Sequence, residues 1–366
     1  MAPVILALEK DRRFQSRVCV TGQHRQLLDE ALRLFDIRPD WDLNLMRPDQ
    51  DLADLTAAIL LRMREVLREE QPNIVLVHGD TTTCFGAALA AFNQGVAIGH
   101  VEAGLRTWNL RSPFPEEANR TLVSRLANYN YAPTCQARDN LRAEGISATR
   151  IEVTGNTVID ALLAICGKVN AAGPDRWRRH FGGSLGDRLV DPTCRKVLIT
   201  SHRRENFGPG LIEICSAIHA LAAAHPSCEF VFPVHPNPNV QKPVTEILGD
   251  EPNVWLIAPQ SYEAFVWLMS QSDLILTDSG GIQEEALSLG KPLLVIREAT
   301  ERPEALQSAT VRLIGASRAR ITETVAEHLQ NPAALTQSGL LSNPFGDGLA
   351  AQRIVEHLAR CPEAIG

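Results

Sequence analysis

Asp80, Glu102 and Glu116 are the first residues of this chain whose type and setting suggest chemistry. Asp80 follows the apolar run Ile74-Val75-Leu76-Val77-His78 and a glycine, and is followed by Thr81-Thr82-Thr83. Glu102 closes the next run, in His100-Val101-Glu102-Ala103-Gly104, and Glu116 stands in Ser112-Pro113-Phe114-Pro115-Glu116-Glu117-Ala118-Asn119-Arg120. Each has an ordinary explanation. Asp80 or Thr81 can cap the helix that follows, and acids are favoured in the first turn of a helix, where Pro115 also fits. Three acidic positions converging on one sheet edge exceed what capping requires. Carboxylates gathered in a cleft perturb one another's pKa values and suit general acid/base work on a neutral sugar.

The second half of the chain supplies cations and backbone suited to an anion. Ser201-His202-Arg203-Arg204 follows the run Val197-Leu198-Ile199-Thr200, and His235 follows Phe230-Val231-Phe232-Pro233-Val234. An arginine at a strand end grips phosphate oxygens with paired donors. The most telling stretch is Leu274-Ile275-Leu276-Thr277-Asp278-Ser279-Gly280-Gly281-Ile282-Gln283-Glu284-Glu285. A Ser-Gly-Gly turn entering a helix offers free N–H groups and the positive end of the dipole to an anion. Glu285, one turn in, is placed to reach ribose hydroxyls. No Lys-Ser/Thr follows at P-loop spacing. Nothing in this set requires a metal or another cofactor, since Arg, His and a helix N-terminus can neutralise a diphosphate.

The elements that must position these residues are those of an α/β chain. Apolar runs alternate with helical patterns throughout, the signature of parallel sheets built from βαβ units. Strands are expected at 17–21, 73–78, 97–101, 129–132 and 151–153, and again at 196–200, 229–234, 254–257, 274–277 and 293–296. The two sets predict two Rossmann-like, doubly wound parallel-sheet domains facing a central cleft. The first spans 1–157 and carries the carboxylates; the second spans 158–346 and carries the nucleotide site; a terminal helix within 347–366 completes the first. A helix over 158–169 and a looser stretch around Gly173-Pro174 and Gly182-Gly183-Ser184-Leu185-Gly186-Asp187 form the expected linker.

A length of 366 residues fits two domains. The net charge of -7 gives no basic footprint for nucleic acid or an anionic membrane surface. Eight scattered cysteines show neither a C-x-x-C pair nor zinc spacing, which points to a reducing cytoplasm. No apolar run approaches the roughly 18 residues of a membrane span.

Taken together and in order, HGDTTT, HVEAGLRTWN, SPFPEEANR, GNTVIDAL, HRRENFG, PVHPNPNV, TDSGGIQEEA, LGKP, TERPEA and NPFGDG resemble the non-hydrolysing UDP-N-acetylglucosamine 2-epimerases across essentially the whole chain. The resemblance implies the two-Rossmann glycosyltransferase (GT-B) fold, a homodimer and no redox cofactor. It implies interconversion of UDP-N-acetylglucosamine and UDP-N-acetylmannosamine for cell-surface polysaccharide synthesis, by anti elimination of UDP and re-addition through 2-acetamidoglucal. On matching positions, Asp80, Glu102 and Glu116 correspond to the family's catalytic carboxylates, and His202 to a residue that contacts the diphosphate and aids catalysis. Gln260, Phe265, Ser279, Gly280, Gly281, Glu285 and Arg302 match nucleotide-binding positions, beside the candidate substrate contacts Arg204 and His235. Gln23 and Gln26 match a motif tied in some members to allosteric binding of a second substrate molecule.

Family members begin with a strand and a Gly-Thr-Arg-Pro-Glu loop ahead of a helix containing Met-Ala-Pro. This chain starts at Met1-Ala2-Pro3, so the first strand is expected to be missing. Three alternatives stand beside the epimerase reading: a hydrolysing epimerase releasing N-acetylmannosamine and UDP, a retaining glycosyltransferase of the same fold, and an inactive nucleotide-sugar binder.

Overall fold

The computed structural model describes all residues except 24, 48–49, 204–205, 301, 332–342, 362–363 and 365–366. The chain divides into two compact units, Met1–Ala161 with Phe345–Gly366, and Leu162–Pro344.

The first unit runs α1 (Ala2–Lys10), β1 (Cys19–Val20), α2 (Arg25–Leu34), β2 (Trp41–Asp42), α3 (Leu52–Glu70), β3 (Ile74–His78), α4 (Thr82–Asn93), β4 (Ala97–Val101), α5 (Glu116–Leu126), β5 (Tyr129–Ala132), α6 (Cys135–Ala143) and β6 (Ile151–Val153), then enters α7 (Thr157–Ala171). All strand pairs are parallel: β3-β4-β5-β6 form one sheet, and β1 pairs with β2 in another. The period along α3 explains its place. Asp51 accepts the amide of Asp54 as N-cap, and Leu55, Ile59, Met63, Val66 and Leu67 line one buried face. That face meets Val77, Ala87, Ala91 and Ile98, so α3 and α4 cover the sheet beside the strands that end in acids.

The second unit continues through α8 (Pro174–Phe181), α9 (Gly183–Val190), β7 (Arg195–Thr200), α10 (Pro209–Ala224), β8 (Cys228–Pro233), α11 (Pro238–Leu248), β9 (Val254–Ile257), α12 (Tyr262–Gln271), β10 (Leu274–Thr277), α13 (Gly280–Ser288), β11 (Leu293–Val295), β12 (Val311–Leu313) and α14 (Arg318–Gln330). Its six strands are parallel in the order β12-β11-β10-β7-β8-β9. This is the doubly wound order whose switch point lies between the first and fourth strands, β7 and β10. Both strands are buried almost throughout because helices cover both faces, and hence read as unbroken apolar runs.

The last helix, α15 (Ala350–Leu358), belongs to the first unit. Its leading amides, Ala350 and Ala351, donate to the Asp160 carboxylate at 3.2 and 2.8 Å, a cap supplied from a distant part of the chain. Ile354, Val355 and Leu358 then bury against Val4, Leu8 and Tyr131.

The stretch around 173–187 is not a loose linker but two helices, α8 and α9. Trp177, Leu185 and Leu189 are buried, and Trp177 stacks on Trp267 with ring centroids 5.3 Å apart. Gly186 serves packing: a Cβ there would lie 2.3 Å from the Arg178 carbonyl oxygen. The run over 17–21 pairs only at Cys19–Val20, and β2 and β12, of two and three residues, are too short to leave an apolar run. Among the described residues no helix is long and apolar enough to cross a membrane.

Candidate active site

In the first unit the acidic residues stand beyond the carboxyl ends of two adjacent strands. β3 and β4 pair from Ile74↔Ala97 to His78↔Val101, and the Gly79 amide extends the ladder by donating to the Val101 carbonyl at 3.0 Å. Asp80 and Glu102 are therefore carried side by side. Thr81, not Asp80, caps α4: its hydroxyl accepts the Cys84 amide. Asp80 instead pairs with Arg120, Oδ2 to Nη2 at 2.8 Å, while Asn119 donates to the Asp80 carbonyl at 2.9 Å.

Glu102 occupies the left-handed region at φ 63°, a conformation that L side chains seldom adopt outside over-determined sites. Its carboxylate lies 3.3 Å from Asn156 Nδ2 and 3.4 Å from His78 Nε2. Gly79, at φ +72°, leaves room for it: a Cβ there would sit 3.4 Å from Glu102 Oε2. His100 is fully buried beneath this turn, with Nε2 2.8 Å from the Gly79 carbonyl and a pKa driven down to about 4 by burial.

Glu116 and Glu117 open α5 but have different surroundings. Glu116 is half-buried at the helix start. Glu117 is 1% exposed, and its Oε1 accepts the amides of Thr107 and Trp108, both at 3.0 Å. It anchors the loop that follows β4, which separates it from Glu116 as a structural acid.

In the second unit the polar residues gather at the β7/β10 switch point. Asp278 is fully buried, and its carboxylate accepts the Ser201 hydroxyl at 2.9 Å, the amides of His202 and Arg203 at 3.1 and 3.0 Å, and Asn206 Nδ2 at 3.0 Å. One side chain thus folds the loop that presents His202. The His202 and His235 rings stack with centroids 6.1 Å apart. Burial lowers the pKa of His202, the Asp278 charge opposes that, and Arg203 and His235 add to it.

Ser279 precedes α13 without using its hydroxyl as a cap, and Gly280 and Gly281 are the first residues of the helix. Beyond its chain neighbours and its own helix backbone, a Cβ built on Gly281 would meet nothing within 4 Å, so an anion can approach the helix end there. Glu285 is buried and accepts the Tyr262 hydroxyl at 2.6 Å; desolvation raises its pKa to about 7 against the effect of that bond. Arg302 pairs with Glu284, and Gln283 accepts the Thr300 hydroxyl at 2.7 Å, so α13 and the loop after β11 form one hydrogen-bonded piece. Gln260 Oε1 accepts from His180 Nε2 at 3.1 Å, and Phe265 lies half-buried on α12.

The structure carries Asp80 and Glu102 at neighbouring strand ends and Glu116 at the start of α5 in one unit, and His202, His235, Ser279, Gly280, Gly281 and Glu285 in the other. Arg204 lies outside the described residues. Gln23 accepts the Thr83 hydroxyl at 2.9 Å, and Gln26 is exposed on α2. Sequence reasoning missed Arg120, Asn156, Tyr262 and Asp278. Asn156, Asp278 and Arg120 do stand in motifs already singled out, and Arg120 lies four residues after Glu116, on the same helical face. Among the described residues no group of three or more His, Cys, Asp or Glu side chains is placed to hold a metal ion.

A family model described as UDP-N-acetylglucosamine 2-epimerase matches residues 6–359. The UDP-N-acetylglucosamine 2-epimerase of Escherichia coli (strain K12) is 51% identical over 358 residues, spanning 98% of this chain and 94% of its own length. Among solved structures, the UDP-GlcNAc 2-epimerase from Neisseria meningitidis bound to UDP-GlcNAc has a TM-score of 0.89 and 47% identity, covering 99% of this chain and 96% of that one. The Methanocaldococcus jannaschii UDP-GlcNAc 2-epimerase in complex with UDP-GlcNAc and UDP has a TM-score of 0.76 and 29% identity, covering 98% and 96%.

Proposed function

The chain belongs to the UDP-N-acetylglucosamine 2-epimerase family, with a fold of the GT-B type, and we propose that it interconverts UDP-N-acetylglucosamine and UDP-N-acetylmannosamine without releasing free sugar. The observation that carries this reading is the pair Asp80 and Glu102 at the ends of neighbouring strands, with Glu116 at the start of the helix whose Arg120 grips Asp80.

The hydrogen on sugar carbon 2 is not acidic. Its removal must run with departure of the diphosphate, through an oxocarbenium-like transition state that nearby negative charge stabilises. A carboxylate takes the proton as the bond from carbon 1 to the diphosphate oxygen breaks, the electron pair of the C–H bond forms the double bond, and UDP leaves with the electrons of its own bond. A second acid then delivers a proton to the opposite face of carbon 2 while a diphosphate oxygen re-adds at carbon 1. Inversion needs acid/base groups on two faces, which three carboxylates in one unit can supply.

His202, His235 and the N–H groups at the start of α13 suit the diphosphate, and Glu285 suits the ribose hydroxyls. The reading further includes a homodimer, a cytoplasmic setting and a role for Gln23 and Gln26 in binding a second substrate molecule. The test is incubation with UDP-N-acetylglucosamine in deuterated buffer. Deuterium at carbon 2 of recovered UDP-sugars of both configurations is expected; free N-acetylmannosamine as the main product would favour the hydrolysing reaction, and an unlabelled, unconverted substrate would reject the epimerase reading.

A further inference from the structure

Two successive residues of α5 hold Asp80 at both ends. Asn119 donates to its backbone carbonyl at 2.9 Å, and Arg120 Nη2 meets its Oδ2 at 2.8 Å. The grip is largely shielded from water on the arginine side, where the side chain is 11% exposed against 28% for Asp80. A guanidinium is buried at a large desolvation cost unless anions face it, and two do: Asp80, and Glu117, whose Oε2 is 3.5 Å from Arg120 Nη1. Glu117 is itself fixed by the Thr107 and Trp108 amides. The loop after β4, Glu117, Arg120 and Asp80 therefore form a continuous chain of contacts ending at a carboxylate beyond β3.

We propose that Arg120 is the positioning residue of the acid–base step, holding the Asp80 carboxylate in one orientation and in its charged form. The proposal rests on the epimerase reading of Asp80. Arg120 meets this carboxylate from α5 with Glu117 beside it, Cys84 of α4 faces the Asp80 charge, His100 lies under the Gly79 carbonyl, and Glu102 stands at the neighbouring strand end next to His78, which the Met1 amino group approaches at 3.4 Å. Glu102 and Glu117 oppose ionisation of a neighbouring acid, and the Arg120 guanidinium set against Asp80 favours it. A flexible side chain with a single charge would leave Asp80 free to rotate, whereas the guanidinium bridges two carboxylates from a rigid helix.

The test compares R120M and R120K with the unaltered enzyme by steady-state kinetics across pH, with UDP binding by calorimetry as the check that the fold is intact. R120M is expected to lose about 100-fold in kcat while KM and UDP affinity stay within roughly threefold. The pH at which kcat falls on the acid side is expected to rise by about one unit or more. R120K is expected to return that pH toward its original position and to recover only part of kcat. An R120M enzyme with an unchanged acid limb, or one whose kcat falls only as UDP affinity falls, overturns the proposal. Should R120M not fold, R120K decides: full kcat with Lys would overturn the claim of orientation. Deuterium entry at carbon 2 in the unaltered enzyme is measured first, since its absence rejects the epimerase reading whatever Arg120 does.

Discussion

The Asp278 carboxylate and the His202 imidazole meet beyond the ends of two hydrogen-bonded strands, with Oδ1 3.5 Å from Nδ1 and Oδ2 3.1 Å from the His202 amide. Asp278 is fully buried, so the contact is made where a charge is hard to replace. D278A is expected to destabilise the protein by about 3 kcal/mol, because it strips the acceptor from several buried donors at once. D278N keeps the volume but removes the charge that opposes the burial effect on His202. The His202 resonance, followed by NMR, should titrate below the usual 6.5 in the unaltered protein and lower still in D278N; an upward shift would refute the electrostatic assignment.

His100 contributes an acid-side loss of stability. Its pKa is near 4 in the folded protein and about 6.5 in an unfolded chain. Below pH 6.5 the unfolded chain therefore binds a proton that the folded one refuses, so stability falls from about pH 6.5 down to pH 4 and levels beneath it. The loss is on the order of a few kcal/mol. Denaturant unfolding of H100Q should show a shallower decline over this window than the unaltered protein, and equal slopes would refute the assignment.

Glu285 works in the opposite sense. Its folded pKa of about 7 lies above the ordinary 4.5, so its protonated form favours the native state at low pH, and that contribution is lost as pH rises through 7. Ribose hydroxyls donate best to the ionised carboxylate. UDP affinity measured by calorimetry should therefore rise between pH 6 and pH 8, by roughly tenfold at most per unit, and E285Q should abolish the rise. Affinity that falls over the same range would rule out Glu285 as the ribose acceptor.

Glu116 and Glu117 are neighbours that the structure separates. E117A leaves the Thr107 and Trp108 amides without their acceptor and should cost about 1–3 kcal/mol of stability. E116Q should leave the melting temperature within a degree or two of its original value, roughly the range of a surface change, while lowering kcat by about 100-fold or more. A stable E117A paired with an unstable E116Q would reverse the two roles.

The parallel strands were legible because strands covered on both faces read as apolar runs, and β4, β5, β6, β9 and β10 fall where those runs lie. The strand-to-helix turn at the start of α13 was legible because Ser279-Gly280-Gly281 follows one of them. The helices α8 and α9 were not, since glycines that serve close packing look the same as glycines that serve a loose turn until the Arg178 carbonyl is seen beside Gly186. Between Glu116 and Glu117 composition offers no choice at all.

The sequence alone determined which chemical groups end each strand, because strand periodicity and glycine turns are local properties. Only the tertiary structure decided how those groups are held: Arg120 on Asp80, Asn156 and His78 on Glu102, Asp278 on the His202 loop, and Tyr262 on Glu285. Such contacts join residues 23 to 76 positions apart, and the burial that sets their charge and orientation exists only once the sheets are covered.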